Sequence, residues 1–179
     1  KIDLWGVGTK LITCDGQPAL GGVYKLAARE TADGNIEPTI KISANPAKIT
    51  TPGVKEVYRI ISNETGKAIA DYVKLVEEPD IRNAKTLTLF NPEHPYWSRE
   101  IKNFTAIPLL KPVIMNGRLP EELPSLQEIR RYHEEQLALF WPEYLRTLNP
   151  EEYNVHISER AWQLKKSMIE HYRSTMTGF

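Results

Sequence analysis

The sequence predicts an α+β protein, with mixed or antiparallel strands up to about residue 115 and then two principal helices, from about 125 to 141 and from 158 to 173. Three observations carry this. Short apolar runs rich in Val, Ile, Tyr and Thr, separated by Gly, Pro and Asn turn signals, fill the first part of the chain. Seven of the thirteen prolines crowd into residues 79 to 124, where they favour extended chain between short strands. Helical periodicity takes over only at Ser125.

In chain order, the run Ile2-Asp3-Leu4-Trp5 reads as a short strand that ends in Gly6-Val7-Gly8-Thr9, and a brief apolar segment from Leu11 to Cys14 follows. Residues 21 to 28 read as a strand, and Ala32-Asp33-Gly34-Asn35 as a turn into a further strand at 39 to 43. Residues 55 to 61 alternate, and Asn63-Glu64-Thr65-Gly66 closes a hairpin onto 68 to 76. Strands are also expected at 86 to 90 and 107 to 115. Ser125-Leu126-Gln127-Glu128 is a capping box, with a side-chain oxygen at the N-cap and a carboxylate at N3. Leu126, Ile129, Tyr132, Leu137 and Phe140 then share a stripe, and Ser158 caps the second helix.

The chain has 179 residues, 41% hydrophobic and 26% charged, which is enough for a core and average for globular proteins. Lys plus Arg (23) balances Asp plus Glu (23), evenly along the chain, so the totals favour neither nucleic acid nor an acidic membrane surface as partner. No run of about 18 apolar residues is present. A single cysteine, Cys14, makes no internal disulfide, and cytoplasmic localisation is expected. Residue 1 is Lys and leads at once into an apolar run, the start expected of a fragment or a cleaved product.

Gly6-Val7-Gly8-Thr9 is the segment whose residue types call for a chemical explanation. Glycines allow consecutive backbone N–H groups to converge on an anion, and threonine adds a hydroxyl donor, so the loop reads as a phosphate grip or as a structural turn. The remaining candidates read as structural. His94, His133, His156 and His171 form no metal-ligand spacing, and no metal site is expected. Cys14 reads as a small buried hydrophobe, Glu77-Glu78-Pro79-Asp80 as a solvated turn, and Trp5, Trp97, Trp141 and Trp162 as packing residues.

Taken together, residues 2 to 11 and Gln17-Pro18-Ala19-Leu20-Gly21-Gly22-Val23-Tyr24-Lys25-Leu26 resemble the C-terminal part of bacterial nicotinate phosphoribosyltransferases. The resemblance continues through Lys41-Ile42-Ser43, Lys48-Ile49-Thr50-Thr51-Pro52-Gly53-Val54-Lys55, Val57-Tyr58-Arg59, Asn116-Gly117-Arg118-Leu119, Leu123-Pro124-Ser125-Leu126-Gln127-Glu128-Ile129-Arg130 and Leu148-Asn149-Pro150-Glu151-Glu152-Tyr153, covering essentially the whole chain in order.

The resemblance implies the C-terminal part of a type II phosphoribosyltransferase. On that basis residues 1–20 are the end of an irregular α/β barrel with the phosphate loop, 21–78 a β-rich segment completing a sandwich domain, and 79–179 an accessory region of loops then helices. It implies an enzyme of NAD salvage, a homodimer, that joins nicotinate and phosphoribosyl pyrophosphate with magnesium and ATP. In such a family Gly6, Val7, Gly8 and Thr9 grip the substrate phosphate, Thr9 foremost, with Asp3 bordering the site. The catalytic residues, including the histidine phosphorylated during ATP coupling, would lie upstream of Lys1, so this chain alone is expected to bind no cofactor and to turn over no nicotinate. Two alternatives stay open: a non-catalytic accessory or dimerisation module after about Thr31, and a related phosphoribosyltransferase acting on nicotinamide or quinolinate.

Overall fold

A computed structural model describes residues 2–13, 21–90, 96, 98–119 and 122–176. The fold is α+β, a curled mixed sheet with helices at its margin. Its best-specified unit is the hairpin of β3 (Lys55–Ser62) and β4 (Ala68–Leu75), paired antiparallel with Tyr58 opposite Tyr72 and Ile60 opposite Ala70. Alternation along both strands sends these four side chains to one face. Gly66, at φ 67, supplies the left-handed residue that the turn needs, and its N–H reaches the Ser62 carbonyl at 2.8 Å.

Four more strands complete the sheet: β5 (Thr86–Phe90), β6 (Ser98–Lys102), β7 (Phe104–Pro108) and β8 (Val155–Ile157), in the order β6-β5-β8-β4-β3-β7. The two edge strands, β6 and β7, are halves of one bent strand. Asn103 sits between them with a left-handed φ of 54°, and its carbonyl accepts the Asn63 N–H at 3.0 Å. Chain continuity therefore brings the two edges together, and the sheet wraps round its own core. That core holds Tyr58, Ile60, Ala70, Tyr72, Ile81, Leu87, Leu89, Ile101 and Ala106. Strand β8 runs parallel to β4 and meets β5 only at Phe90–Ile157, so the C-terminal part of the chain supplies a central strand and the sheet crosses Glu78.

Helix α2 (Leu126–Ala138) starts at the expected capping box: the Ser125 backbone N–H and hydroxyl both reach Glu128 Oε2 at 2.7 Å. Helix α3 (Glu159–Met176) starts at Ser158, whose Oγ accepts the Ala161 N–H at 3.1 Å and donates to Glu78 Oε1. Glu78 Oε1 also accepts the Leu75 N–H at 2.7 Å, so one carboxylate joins the end of β4 to the start of α3.

Several expectations are corrected. Residues 2 to 8 form no strand, because no neighbouring strand among the described residues pairs with their backbone. A helical turn, α1 (Thr9–Ile12), follows them. Residues 21 to 27 and 39 to 43 are irregular, and the strands of that region are the short pair β1 (Ala28–Glu30) and β2 (Ile36–Pro38). The strand expected at 107 to 115 lies at Phe104–Pro108. Its ladder runs through Pro108 and ends with the Leu109 N–H, which bonds the Val57 carbonyl at 2.9 Å, and Pro112 beyond has no N–H with which to extend it. Helix α2 ends at Ala138, short of 141, and a 3-10 turn occupies Pro142–Tyr144. Cys14, His94 and Trp97 lie outside the described residues.

Candidate functional site

The Gly-Val-Gly-Thr segment lies on an exposed, irregular stretch that opens α1. The Gly8 carbonyl accepts the Leu11 N–H at 3.0 Å, so the loop turns into helix at Thr9. Neither Gly6 nor Gly8 has a left-handed backbone, and a Cβ built on either meets nothing within 4 Å. What these glycines contribute is an uncovered backbone. The local arrangement is an open loop leading into a helical turn, with its peptide groups accessible to a ligand.

A second feature was invisible in the charge totals. Residues 38 to 55 contain Lys41, Lys48 and Lys55 and no acid, and the fold brings two more lysines to the same loop. Lys25 Nζ donates to the Lys48 carbonyl at 2.5 Å and Lys165 Nζ to the Ile49 carbonyl at 3.2 Å. Lys55 Nζ reaches the Thr51 and Gly53 carbonyls at 2.7 and 2.6 Å. Burial lowers the pKa of Lys55; burial first and the neighbouring Lys25 charge second lower that of Lys165. Among the described residues no carboxylate pairs with these three ammonium groups, and each retains hydrogens for a further acceptor. Thr50, at the centre of the loop, is buried with its Oγ1 unpartnered. Such a loop can attract a multiply charged oxyanion. Sequence reading missed it because Lys25 and Lys165 lie 23 and 116 positions from the carbonyls they cap. The acid-free run was the signal available.

The other polar clusters hold structure. Arg59 pairs with Asp71 through Nε at 3.0 Å and Nη2 at 3.2 Å, and Tyr153 donates to Asp71 at 3.0 Å. The Arg59 guanidinium also lies 4.7 Å from the Phe140 ring centroid and bonds Gln136 at 3.3 Å. This knot fastens the end of α2 and the following loop to the outer face of the sheet. Lys74 is buried and satisfied by Glu56 at 2.7 Å and by the Leu75 and Glu78 carbonyls. Beside the single β5–β8 pairing a cleft of about 750 Å³ is lined by Tyr72, Glu78, Phe90 and Arg160. His156 Nδ1 meets the Phe90 carbonyl at 3.0 Å, while His133 is exposed on α2 and the His171 ring contacts Tyr172. Among the described residues no three His, Cys, Asp or Glu side chains come together as a metal site, and no helix is long and apolar enough to cross a membrane.

Residues 54–165, more than half of the chain, match the family described as the nicotinate phosphoribosyltransferase C-terminal domain. The chain belongs to this family. It is 45% identical over 174 residues to the nicotinate phosphoribosyltransferase of Bacillus subtilis, covering 97% of this chain and 35% of that protein. The human nicotinate phosphoribosyltransferase is 35% identical over 170 residues, covering 94% of this chain and 30% of the human protein. The crystal structure of human nicotinic acid phosphoribosyltransferase superposes with a TM-score of 0.68 at 29% identity, over 84% of this chain and 27% of that one. The chain thus spans about a third of the length of the curated relatives it matches. The family domain takes in β3 to β8, α2 and the first part of α3, on both sides of Glu78.

Proposed function

We propose that this chain is the C-terminal portion of a nicotinate phosphoribosyltransferase, an enzyme of NAD salvage that joins nicotinate to phosphoribosyl pyrophosphate and releases nicotinate mononucleotide and pyrophosphate. The observation that carries the site reading is the open Gly6-Val7-Gly8-Thr9 loop leading into a helical turn, in a chain of this family. In this proposal residues 1–20 end the catalytic barrel, 21–78 complete a sandwich domain and 79–179 form the accessory region. The backbone N–H groups of Gly6, Val7 and Gly8, with Thr9, hold the 5-phosphate of the ribosyl substrate. This fixes the ribose while the nicotinate nitrogen forms its bond to C1 and the bond from C1 to the pyrophosphate oxygen breaks. The lysine-lined loop at residues 48–53 supports the same reading, because both phosphorylated species carry the charge it attracts.

Magnesium and ATP belong to the proposed activity of the whole protein. Among the described residues no carboxylate cage assembles that would hold the metal. Cytoplasmic localisation and a homodimer are part of the same proposal.

The test is Thr9→Val in the full-length enzyme. Loss of a hydrogen bond to a charged phosphate, worth about 1.5–3 kcal/mol, predicts a rise of about 10- to 150-fold in the KM for phosphoribosyl pyrophosphate at unchanged melting temperature. A fall in melting temperature with unchanged KM would assign Thr9 to the turn and remove it from the site.

A further inference from the structure

Strand β5 meets β8 only at Phe90–Ile157. Continued along the chain, that antiparallel register would set Leu89 against Ser158 and Thr88 against Glu159, but Ser158 caps a helix that begins at Glu159. Helix α3 therefore leaves the sheet where β5 needs a neighbour, and the cleft of about 750 Å³ lies between them, a volume usual for small-molecule sites. Tyr72 reaches the cleft from the core. It is 7% exposed, and its hydroxyl, unpartnered among the described residues, opens on the cleft. Burial first and the Glu78 charge second raise its pKa to about 12, so the hydroxyl stays protonated and is a donor. Glu78 supplies an acceptor: its Oε1 takes the Leu75 N–H and the Ser158 hydroxyl, while nothing among the described residues bonds Oε2. Phe90, on the same side of β5 as Thr88, makes a flat wall backed by Trp162, with ring centroids 6.4 Å apart. The charge around the cleft is negative. Glu78 and Glu159 face one guanidinium, Arg160, and Glu77 Oε1 stands 3.9 Å from its Nη2. The start of α3 offsets only about half a charge.

We infer that this cleft binds an unphosphorylated nucleoside, with the ribose diol on Glu78 Oε2 and the Tyr72 hydroxyl and the base against Phe90. Each part of the ligand answers one feature of the walls. A carboxylate oxygen accepts from one ribose hydroxyl, as carboxylates do at the ribose of dinucleotides, and the neighbouring hydroxyl accepts from Tyr72. A buried hydroxyl without a partner costs stability, so the Tyr72 hydroxyl gains most from a ligand that brings an acceptor. A simple amine would suit the charge and leave that donor unmet. The flat base covers the Phe90 ring, which a free sugar leaves largely open. A phosphate group is disfavoured, because it would enter against carboxylates that outnumber the one guanidinium. The inference uses no residue of the Gly6 to Thr9 loop or of the lysine-lined loop and does not rest on the catalytic proposal.

The experiment is equilibrium dialysis of the full-length natural protein against tritiated adenosine, with 2′-deoxyadenosine, D-ribose and AMP as competitors. Saturable binding of adenosine is expected, with 2′-deoxyadenosine weaker by about tenfold or more through the lost hydrogen bond to a charged acceptor. Ribose is expected to be weaker by a similar factor, and AMP weaker than adenosine by a margin that narrows as salt is added. Tyr72→Phe keeps the ring and removes only the unpartnered hydroxyl, so it should weaken adenosine about 2- to 12-fold without lowering the melting temperature. Thr88→Trp, at an exposed position of β5, fills the cleft and should abolish binding. The inference fails if no saturable binding is found, or if 2′-deoxyadenosine, ribose or AMP competes as well as adenosine does. Binding that survives Thr88→Trp would place the nucleoside elsewhere on the protein and overturn the site. A lower melting temperature in Tyr72→Phe would show the hydroxyl bonded within the fold, with the same consequence.

Discussion

Replacing Gly53 by Ala is the sharpest probe of how the lysine-lined loop is held. Gly53 has φ 87, and a Cβ built on it would stand 2.7 Å from Leu75 Cδ2 and 3.3 Å from Leu164 Cδ2. Leu75 is 1% exposed and has no space into which to withdraw. The left-handed backbone costs an L-residue about 1–2 kcal/mol, and forcing a methyl into a filled site costs about 1–3 kcal/mol. A gain of about 0.4–1 kcal/mol from a stiffer unfolded chain offsets part of this, leaving about 2–4 kcal/mol. For a chain of this size that is a fall of about 5–12 °C in melting temperature, followed by far-UV circular dichroism. Gly66→Ala is the control: its φ is 67 but nothing lies within 4 Å of the new Cβ, so only the backbone cost, about 1 kcal/mol or less, remains. If Gly53→Ala melted within a degree of Gly66→Ala, the packing of the loop between β4 and α3 would be wrong.

Two further outcomes follow from the polar clusters. Tyr153→Phe removes one of three donors to Asp71 and is expected to cost about 1–2 kcal/mol, read as a lower urea midpoint at unchanged slope; Tyr144→Phe keeps the donor and serves as the comparison. Glu128 is held below the usual glutamate range by the Ser125 hydroxyl first and the Ser125 N–H second, so its contribution is present above about pH 4.3 and fades as the pH falls through the depressed native value. The protection factors of amides in the first turn of α2, taken relative to intrinsic exchange at each pH, should fall on acidification below about pH 4.3 in the native chain and lose that dependence in Glu128→Gln, while Ser125→Ala weakens the helix start by about 1 kcal/mol.

The parts of the fold that were legible in the sequence are those decided locally. Ser125 and Glu128 lie three residues apart and satisfy each other, and the Asn63 to Gly66 turn sits between two alternating runs, so both were readable without tertiary information. Strand β6 was not: in Ser98–Lys102 only Ile101 is buried, and the charged residues around it carry no apolar alternation. Strand β8 is three residues between Asn154 and the Ser158 cap, too short for a periodic signal, and its place between β4 and β5 is set by residues more than 60 positions away. Ile2 to Trp5 has strand-like composition and no strand, because β pairing depends on a neighbour and composition cannot supply one. For the site, the glycines and threonine announced a loop by residue type, whereas the lysine cluster exists only once Lys25 and Lys165 have been folded onto the carbonyls of residues 48 and 49.

That dependence on closure ties the electropositive loop to the core. The Ser158 N–H bonds the Val73 carbonyl at 2.8 Å and its hydroxyl bonds Glu78, which fixes the start of α3 against the end of β4. The position of that start fixes Leu164 over Gly53 and Lys165 over the Ile49 carbonyl, nearly two turns further along the helix. Pro52 and Leu75 are fully buried beneath, so the loop cannot shift without opening the sheet. The three lysines therefore sit on a frame held by β4 and α3, and the family match takes in all of β4 and residues 159–165 of α3. The Gly6 to Thr9 loop has no such frame among the described residues: residues 2–8 pair with no strand there and are exposed, whereas the lysine-lined loop is held in place by this chain's own core.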